Sequence, residues 1–324
     1  MASEMGTELS ATLLKRRKTI AFQPHQVIPF VGMVVVILFF EIVSGGKIFS
    51  AINAPVLLDE IFSIAIGATG VLFLMSQGSL DFSLGAIVGF AGALAAIASK
   101  TNLGLALPVA VLTGISIGAI NGWIHARFRV QSFITTLAMS FILQGLTTVV
   151  LGSGSVGVSF KLSVIDVAPV KLAVLLTIFA VGFYLFEYTR FGKESKAIGS
   201  QEEAARQSGV NVFRVKIMAF LASGFACGLV GFFSIVHSCT ASYDTGSGFQ
   251  IDVLNAVLIG GLSLTGGCNS KFRTVVIGSI IMGVIANGMT LWGIDAMTQQ
   301  LVKGFIFIVA VAISFDRKNA TVIK

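Results

Sequence analysis

About ten predominantly apolar segments follow one another along the chain, and most of the polar stretches between them are short. A helix needs about 20 apolar residues to cross the hydrocarbon core of a bilayer. Charged residues make up only 11% of the chain, against roughly 25% in soluble domains, which is too few to cover a surface that faces water. The sequence therefore predicts an all-α polytopic membrane protein with about ten transmembrane helices. The predicted spans are Ile28–Val43, Leu57–Met75, Phe82–Ser99, Leu105–Ile124, Phe133–Leu151, Ala168–Phe186, Ile217–Val236, Asp252–Leu264, Val275–Trp292 and Met297–Phe315.

The Lys and Arg residues are distributed unevenly over the connecting segments. If the N-terminus lies in the cytoplasm and the spans alternate, 17 of the 22 Lys and Arg residues fall on the cytoplasmic side and four on the other. Cytoplasmic loops carry such an excess of positive charge, so both termini are predicted to be cytoplasmic. The predicted parts are a cytoplasmic tail at 1–27, a single transmembrane domain at 28–316 with a cytoplasmic loop at 187–216, and a cytoplasmic tail at 317–324.

The net charge of +7 does not come with the features of a nucleic-acid-binding surface. Most basic residues stand in short runs beside apolar segments, and no stripe of basic and aromatic residues occurs. The spacing of Cys227, Cys239 and Cys268 matches no metal or redox motif, and the three histidines are scattered. We therefore expect no nucleic-acid partner, no metal site and no catalytic residues.

Two of the predicted spans are interrupted by glycine and polar residues. The first interruption lies near 76–85 and the second near 258–268, and each contains a Ser-Leu pair close to glycine. Short, glycine-interrupted apolar segments in the two halves of a transporter indicate a substrate path. No Lys or Arg lies close to the first interruption, so the sequence leaves open whether the chain forms a short cytoplasmic turn there or a re-entrant, unwound stretch.

The long polar loop that the charge pattern places in the cytoplasm carries the signals of a short, capped helix. Ser200 and Glu203 have the S-x-x-E spacing of a capping box, and Gly209 stands where such a helix would end. Ala204 and Ala205 leave the middle of this helix slim. Two interpretations stay open: an ordinary surface helix with good caps, or a rigid helix that sits in a groove of another protein and transmits motion.

Four motifs resemble those of one family of membrane proteins. The stretch AIGSQEEAARQSGVNVFRVK at 197–216 contains E-A-A-x-x-x-G, which is similar to the core of the cytoplasmic loop in ABC importer permeases. The other three are QGSLDFSLG at 77–85, VQSFITTL at 130–137 and AVLIGGLSLTGG at 256–267. Over about residues 57–316, the chain resembles the ribose-type, or monosaccharide, permease subunits of binding-protein-dependent ABC importers.

That resemblance implies a transporter of several chains in a bacterial inner membrane. Two permease subunits, as a homodimer or a heterodimer, would form the path for a small neutral solute of the monosaccharide class. A cytoplasmic ABC ATPase that holds ATP and Mg would drive it, and a periplasmic or extracellular solute-binding protein would deliver the solute. This chain has no G-x-x-x-x-G-K-[ST] phosphate loop, so we expect no cofactor on it and no enzymatic activity. The resemblance gives the role of ATPase-coupling helix to the segment with Ser200, Glu203, Ala204, Ala205 and Gly209.

Polar residues inside the predicted spans are the candidates for the translocation path or its gate, because such side chains usually face a cavity or one another. Neutral amides and hydroxyls would suit an uncharged solute with many hydroxyl groups. The alternative for each amide is a hydrogen bond between helices, and Asp81 could instead cap the helix that follows it. The candidates are Gln77, Ser79, Asp81, Asn121, Gln144, Asn255, Gly260, Gly261 and Asn287.

Two other functions are open to a polytopic chain. An ion-coupled secondary transporter of a small polar solute should carry a buried relay of ionisable groups, and the sequence offers few acidic residues inside spans, such as Asp81, Glu41 and the end residue Asp252. A membrane scaffold without transport activity is the other alternative. The motifs favour the ABC permease over both.

Overall fold

A computed structural model describes residues 28–152 and 154–314, and most of them are helical. Both predicted tails lie outside the described residues. A short antiparallel pair joins β1 (Val156–Gly157) to β2 (Thr240–Ala241). The α-helices are α1 (Ile28–Val43), α2 (Ala54–Ser76), α3 (Leu84–Thr101), α4 (Ala106–Phe128), α5 (Ser132–Leu151), α6 (Ala168–Phe183), α7 (Arg190–Ser200), α8 (Glu202–Gln207), α9 (Val212–Ser238), α10 (Phe249–Ile259), α11 (Arg273–Leu291) and α12 (Ala296–Ser314).

The apolar helices correspond to the predicted spans. By length and composition, α2, α3, α4, α5, α6, α9 and α11 are able to cross a membrane, and α1, α10 and α12 are apolar but shorter. This confirms the all-α polytopic fold, while the number of spans stays a prediction. α1 has the predicted bounds, whereas α10 begins three residues before its predicted span, at Phe249, and ends at Ile259.

The two ends of the helix bundle differ in charge. One end carries α7, α8 and the turn after α4, and its side chains include Arg127, Arg129, Arg206 and Lys216. We call it the basic end, and it is the side that the charge pattern predicts to be cytoplasmic. We call the other end the opposite end, where Lys171 forms ion pairs with two carboxylates.

Glycine lets α4 and α9 pack backbone to backbone. Gly114 and Gly118 of α4 face Gly224 and Gly228 of α9, and a Cβ added to Gly228 would lie only 2.9 Å from the Cα of Val111. Small residues let membrane helices approach backbone to backbone. α9 also packs on α2 and α3, so it forms the centre around which the other elements are placed.

The first predicted interruption is a turn between two separate helices. α2 ends at Ser76 and α3 begins at Leu84, and we call residues 77–83 the α2–α3 turn. Gln77, Ser79 and Asp81 are buried in it. Of the two alternatives, the structure shows a turn, in which Gly78 is exposed and Leu80 and Phe82 are partly buried.

The second predicted interruption begins at the end of α10. Gly261 has φ +101°, and the Leu262 N–H donates to the Val257 carbonyl at 3.2 Å. This backbone bond and the left-handed glycine are the features of a helix that ends in a glycine cap. The chain then runs without regular structure to the start of α11.

A third irregular segment, residues 242–248, is not among the predicted interruptions. We call it the entry segment, because it follows β2 and enters the bundle far enough for Gly246 to pack against Gly85 and Gly89 of α3. Gly246 and Gly248 have φ values of +83° and +78°, a conformation that glycine adopts without steric cost. Because α10 starts after this segment, inside the bundle, it has only 11 residues.

Candidate functional site

The segment predicted as the coupling helix is divided between two helices, and its predicted capping box does not form. Ser200 is the last residue of α7, and the side chain of Gln201, which precedes α8, makes no cap hydrogen bond. The Ser200 Oγ donates to the Lys196 carbonyl (3.1 Å) and accepts from the Cys268 N–H (2.9 Å). The prediction that Ser200 and Glu203 form the box is wrong, because Ser200 continues the preceding helix and bonds across the structure.

The end of α8 is as predicted. Gly209 has φ +88°; its N–H donates to the Arg206 carbonyl at 3.0 Å, and the Val210 N–H donates to the Ala205 carbonyl at 3.1 Å. These two bonds make a Schellman motif, in which glycine at C′ ends the helix. The prediction that Gly209 terminates this helix is confirmed.

α8 has one face against the bundle and one in solvent. Ala205 is buried and packs with Ile198 and Val215, while Glu203 and Ala204 are exposed. The two alanines therefore differ: Ala205 anchors α8, and Ala204 lies beside Glu203 on a free, slim surface.

Glu202 ties α8 to α9. Its carboxylate accepts hydrogen bonds from Arg206 (2.9 Å) and from Lys216 at the start of α9 (2.8 Å). Burial acts to raise the pKa of Glu202, but the hydrogen bonds and charges of Lys216 and Arg206 outweigh it and hold the pKa below its ordinary value. The carboxylate is thus ionised at neutral pH and keeps α8 in place.

α7 contacts both predicted interruptions. The Gln77 Nε2 in the α2–α3 turn donates to the Ser195 Oγ of α7 at 3.1 Å. The bond from the Cys268 N–H joins α7 to the segment after α10. The Gly267 N–H in that segment donates to the Ser76 carbonyl at 2.9 Å, so the three pieces are linked to one another.

Asp81 lies in a buried hydrogen-bond network. One carboxylate oxygen accepts from the Ser83 N–H (2.8 Å) and hydroxyl (2.6 Å), and the other accepts from the Ser223 hydroxyl of α9 (3.3 Å). Asn121 of α4 donates to the Ser83 Oγ at 3.0 Å, and Ser79 is buried in the same turn. The bond to the Ser83 N–H, directly before α3, supports the interpretation of Asp81 as a residue that organises the start of a helix.

Two hydroxyl groups of α5 satisfy the backbone of the α2–α3 turn. The Leu80 N–H donates to the Ser132 Oγ and the Phe82 N–H to the Thr136 Oγ1, each at 3.0 Å. Both N–H groups are partly buried, and an N–H that has lost its water needs such a partner. Two of the motifs read from the sequence, at 77–85 and 130–137, therefore meet in space.

A polar cavity of about 130 Å³ lies between α5 and the entry segment. α5 contributes Ser140, Gln144 and Thr147, whose spacing places them on one face of the helix, and the Gln144 Nε2 donates to the Ser140 Oγ at 3.1 Å. Of the predicted path residues, Gln144 is in this lining. The remaining lining residues are Gly85, Ala86, Gly89, Tyr243, Asp244, Thr245, Gly246, Ser247, Gly248 and Gln250.

Sequence reasoning missed most of this cavity. The entry segment looks like a polar loop outside the spans, because its entry into the bundle depends on close packing of Gly246 that no local pattern reveals. A usable signal was present on α5, where Ser140, Gln144 and Thr147 continue, at helical spacing, a polar stripe that begins at Ser132 and Thr136.

The other two predicted amides connect helices. Asn287 of α11 and Asn53, directly before α2, exchange a pair of hydrogen bonds of 2.7 and 3.1 Å, and the Asn255 Nδ2 of α10 donates to the Lys303 carbonyl of α12 at 2.9 Å. Each matches the interhelical alternative.

The glycine pair after α10 lies at the basic end. Gly260 packs on the backbone of α11, where an added Cβ would lie 3.0 Å from the Cα of Thr274. Gly260 and Gly261 line a cavity of about 210 Å³ together with Lys271 and Arg273. A role of this pair in gating stays a prediction.

The opposite end carries a charged cluster. Lys171 is paired with Asp59 and, at 2.6 Å, with Asp166, and the His237 Nδ1 lies 3.0 Å from Asp166 and 3.3 Å from Asp59. Burial acts to raise the pKa of Asp166, but hydrogen bonds from Lys171 and His237 outweigh it and lower the pKa. Asp59, Asp166 and His237 have the spacing of metal ligands, but Lys171 already supplies their positive charge.

Acidic residues inside the helices are more numerous than the sequence reasoning held. Asp59 and Glu60 both lie within α2. Asp252 lies in the first turn of α10, where it pairs with Lys303 of α12 at 2.9 Å. The pair is largely shielded from solvent, so each charge is balanced by the other.

Comparisons of the sequence with known proteins find permease components of transport systems. A sequence model of the family described as "Branched-chain amino acid transport system / permease component" matches residues 57–311. The ribose import permease protein RbsC of Escherichia coli (strain K12) is 29% identical over 87% of this chain and 92% of its own length. RbsC of Bacillus subtilis (strain 168) is 30% identical over 90% of this chain and 92% of its own length. The L-arabinose transport system permease protein AraH of Escherichia coli (strain K12) is 34% identical over 77% of this chain and 78% of its own length. No solved structure matches the chain.

Proposed function

The chain belongs to the family of branched-chain amino acid transport system permease components, and from that membership we propose that it forms the path of a small neutral solute through the bacterial inner membrane. The family consists of transporter subunits, so the chain is a multi-pass membrane component and not a catalytic enzyme. Two relatives are named for ribose and L-arabinose. We therefore propose a monosaccharide as the solute class.

The polar cavity between α5 and the entry segment supports this proposal most directly. Its side chains are mostly amides and hydroxyls, with Asp244 as the charged residue in the lining. Hydroxyls and amides both donate and accept hydrogen bonds, so they replace the water around a sugar without binding it as an ion would be bound. We assign Gln144 and Gln250 to the solute path.

Partner chains would supply the energy and the solute. We propose that an ABC ATPase, holding ATP and Mg, docks at the basic end, where Glu203 and Ala204 form the exposed face of α8. Its motion would pass through α7 to the α2–α3 turn and to the segment after α10. A solute-binding protein would dock at the opposite end, so the basic end would face the cytoplasm.

A second permease subunit would complete the path. The support for it is the surface of α5 outside the bundle, where Phe141, Ile142 and Val149 are exposed by 65%, 55% and 79%. These side chains lie on the same helix as Gln144, which lines the polar cavity. A partner helix there would close the cavity from the side that faces away from α9.

A matched pair of α5 variants tests the assignment of the cavity. Thr147 lines the cavity and Thr148 points away from it, and each hydroxyl donates to the carbonyl four residues earlier. Thr147→Val should raise the KM for monosaccharide uptake in proteoliposomes with the partner proteins, and Thr148→Val should not. If both variants changed the KM equally, the cavity would not be part of the solute path.

The ion-coupled alternative is tested in the same vesicles. Uptake should stop when ATP is omitted and should continue when ion gradients are collapsed. Uptake by this chain alone, driven by an ion gradient, would contradict the proposal. The Asp252–Lys303 pair would then be the candidate for the ionisable relay that ion coupling needs.

A further inference from the structure

A larger cavity, of about 390 Å³, lies at the basic end between the end of α4, α8 and the start of α9. We call it the basic cavity. Its charged lining residues are Arg127, Arg129, Arg206, Lys216 and Glu202. Four cationic side chains thus share one carboxylate, and the excess of positive charge favours an anionic ligand.

The internal carboxylate does not serve all four cations. Glu202 bonds with Arg206 and Lys216, whereas Arg127 and Arg129 form no ion pair within residues 28–152 and 154–314. Arg129 also has φ +56° at the end of α4, where glycine or asparagine is usual. An arginine held in this sparsely populated conformation is typical of a functional position.

A buried histidine in the lining adds a hydrogen-bond acceptor. His125 is only 8% exposed, and its Nδ1 lies 2.7 Å from the Val130 carbonyl. Because a carbonyl only accepts, Nδ1 carries the proton, and the neutral ring presents Nε2 as an acceptor. Among the described residues Nε2 is buried and has no partner, so a ligand hydroxyl that reached it from the cavity would satisfy it.

Exposed aromatic residues flank the cavity. Trp123 and Phe128 of α4 are 50% and 61% exposed and pack edge to face with ring centroids 5.5 Å apart. Phe213, which lines the cavity, is 40% exposed. Such aromatics are concentrated where membrane headgroups meet the hydrocarbon core, which places the cavity at headgroup depth.

We propose that the basic cavity binds a phosphate ester that also carries a free hydroxyl, with phosphate at Arg127 and Arg129 and the hydroxyl at the His125 Nε2. Planar guanidinium groups bind phosphate oxygens in pairs. The headgroup of phosphatidylglycerol has this chemistry, and so does a soluble glycerol phosphate. Arg206 and Lys216, which hold Glu202, line the same cavity. A phosphate at Arg127 and Arg129 therefore also attracts these two cations, competes with the tie between α8 and α9, and adjusts the position of α8.

The two tryptophans of the chain provide the probe and its control. The variant Trp292→Phe retains Trp123 beside the basic cavity, and Trp123→Phe retains Trp292 at the end of α11. Each is placed in phosphatidylcholine nanodiscs that contain equal amounts of either brominated phosphatidylglycerol or brominated phosphatidylcholine. We expect brominated phosphatidylglycerol to quench Trp123 severalfold more than brominated phosphatidylcholine, and the two lipids to quench Trp292 equally.

Charge variants test whether the excess quenching comes from the cavity. Arg127→Gln with Arg129→Gln should remove the excess at Trp123, and Arg190→Gln, an exposed cation at the same end, should keep it. Glu202→Gln removes the competing carboxylate and should increase the excess. A variant that merely fails to fold would lose the excess quenching of Trp123, so an increase cannot be explained by misfolding.

Glycerol 1-phosphate distinguishes a soluble ligand from a lipid. In nanodiscs of phosphatidylcholine alone, it should raise the unfolding temperature of the wild type and not of the double arginine variant if the source is soluble. Equal quenching of Trp123 by both lipids together with no stabilisation by glycerol 1-phosphate overturns the proposal. Equal quenching with loss of ATPase assembly in the double variant also overturns it, because the cavity would then serve a side chain of the ATPase.

Discussion

The α2–α3 turn and the entry segment are both irregular pieces of chain inside a helical bundle, but they are held in opposite ways. The turn is bonded to four other helices, through Asn121 of α4, Ser132 of α5, Ser195 of α7 and Ser223 of α9. The hydrogen bonds of the entry segment, among the described residues, stay within the segment and the start of α10. Its hold on α3 is the packing of glycine on glycine.

This difference assigns the two segments different mechanical roles. A segment bonded to four helices moves only with them, so the α2–α3 turn suits the transmission of motion from α7. A segment that is held by packing alone can separate from α3 without leaving buried polar groups unpaired, which is the more expensive change. The entry segment therefore suits the part that opens beside the polar cavity.

Removing the hydroxyls that hold the turn should have the largest effect. Ser132→Ala with Thr136→Val leaves the partly buried N–H groups of Leu80 and Phe82 unpaired, each at about 1–3 kcal/mol of unfolding free energy. We expect a fall of that size in detergent unfolding experiments. Ser116→Ala with Thr177→Val removes two exposed hydroxyls that bond only to their own helices and should leave the unfolding free energy nearly unchanged. Equal losses would show that the turn is not fixed by α5.

The packing of the entry segment is tested by a methyl group at Gly246. Gly246→Ala strains a φ of +83° and pushes the segment away from Gly85. Gly45→Ala strains a similar φ, +68°, but meets nothing within 4 Å. We expect Gly246→Ala to lower solute uptake by about tenfold, equivalent to about 1.4 kcal/mol, with Gly45→Ala near wild type. Similar uptake by both variants would mean that backbone strain alone matters.

A single hydroxyl tests the link from α7 to the segment after α10. Ser200→Ala removes the acceptor for the Cys268 N–H, so ATP hydrolysis should continue while solute moved per ATP falls by about twofold to fivefold, for a bond of about 0.5–1 kcal/mol. Ser208→Ala removes a hydroxyl that bonds only within the same loop. If Ser200→Ala left the amount of solute moved per ATP unchanged, the bond from α7 to the Cys268 N–H would have no part in transmitting motion.

The sequence predicted what depends on local pattern and missed what depends on packing. Apolar length located the ten apolar helices but not α7 (Arg190–Ser200). Gly209 marked the end of α8 because a left-handed residue is needed there. Ser200 had the spacing of a capping residue, but its hydroxyl serves Cys268, 68 residues away. Asn287 and Gln144 looked alike as intramembrane amides, yet one bonds Asn53 and the other lines the cavity. Which partner each amide has depends on the tertiary arrangement of the helices.

The smallest expected effect concerns the tie between α8 and α9, and its sign follows from the lowered pKa of Glu202. A carboxylate whose folded pKa lies below its unfolded value stabilises the fold above the unfolded pKa and loses that contribution as pH falls through the folded pKa. The difference in unfolding free energy between the wild type and Glu202→Gln should therefore be constant from about pH 8 to about pH 5 and should vanish only in stronger acid. Because Glu202 and Arg206 are partly exposed, we expect no more than about 1 kcal/mol. A difference that changes between about pH 8 and pH 6 would show that a group other than Glu202 holds α8. The position of α8, unlike that of the α2–α3 turn, would then not be explained by the hydrogen bonds that the structure shows.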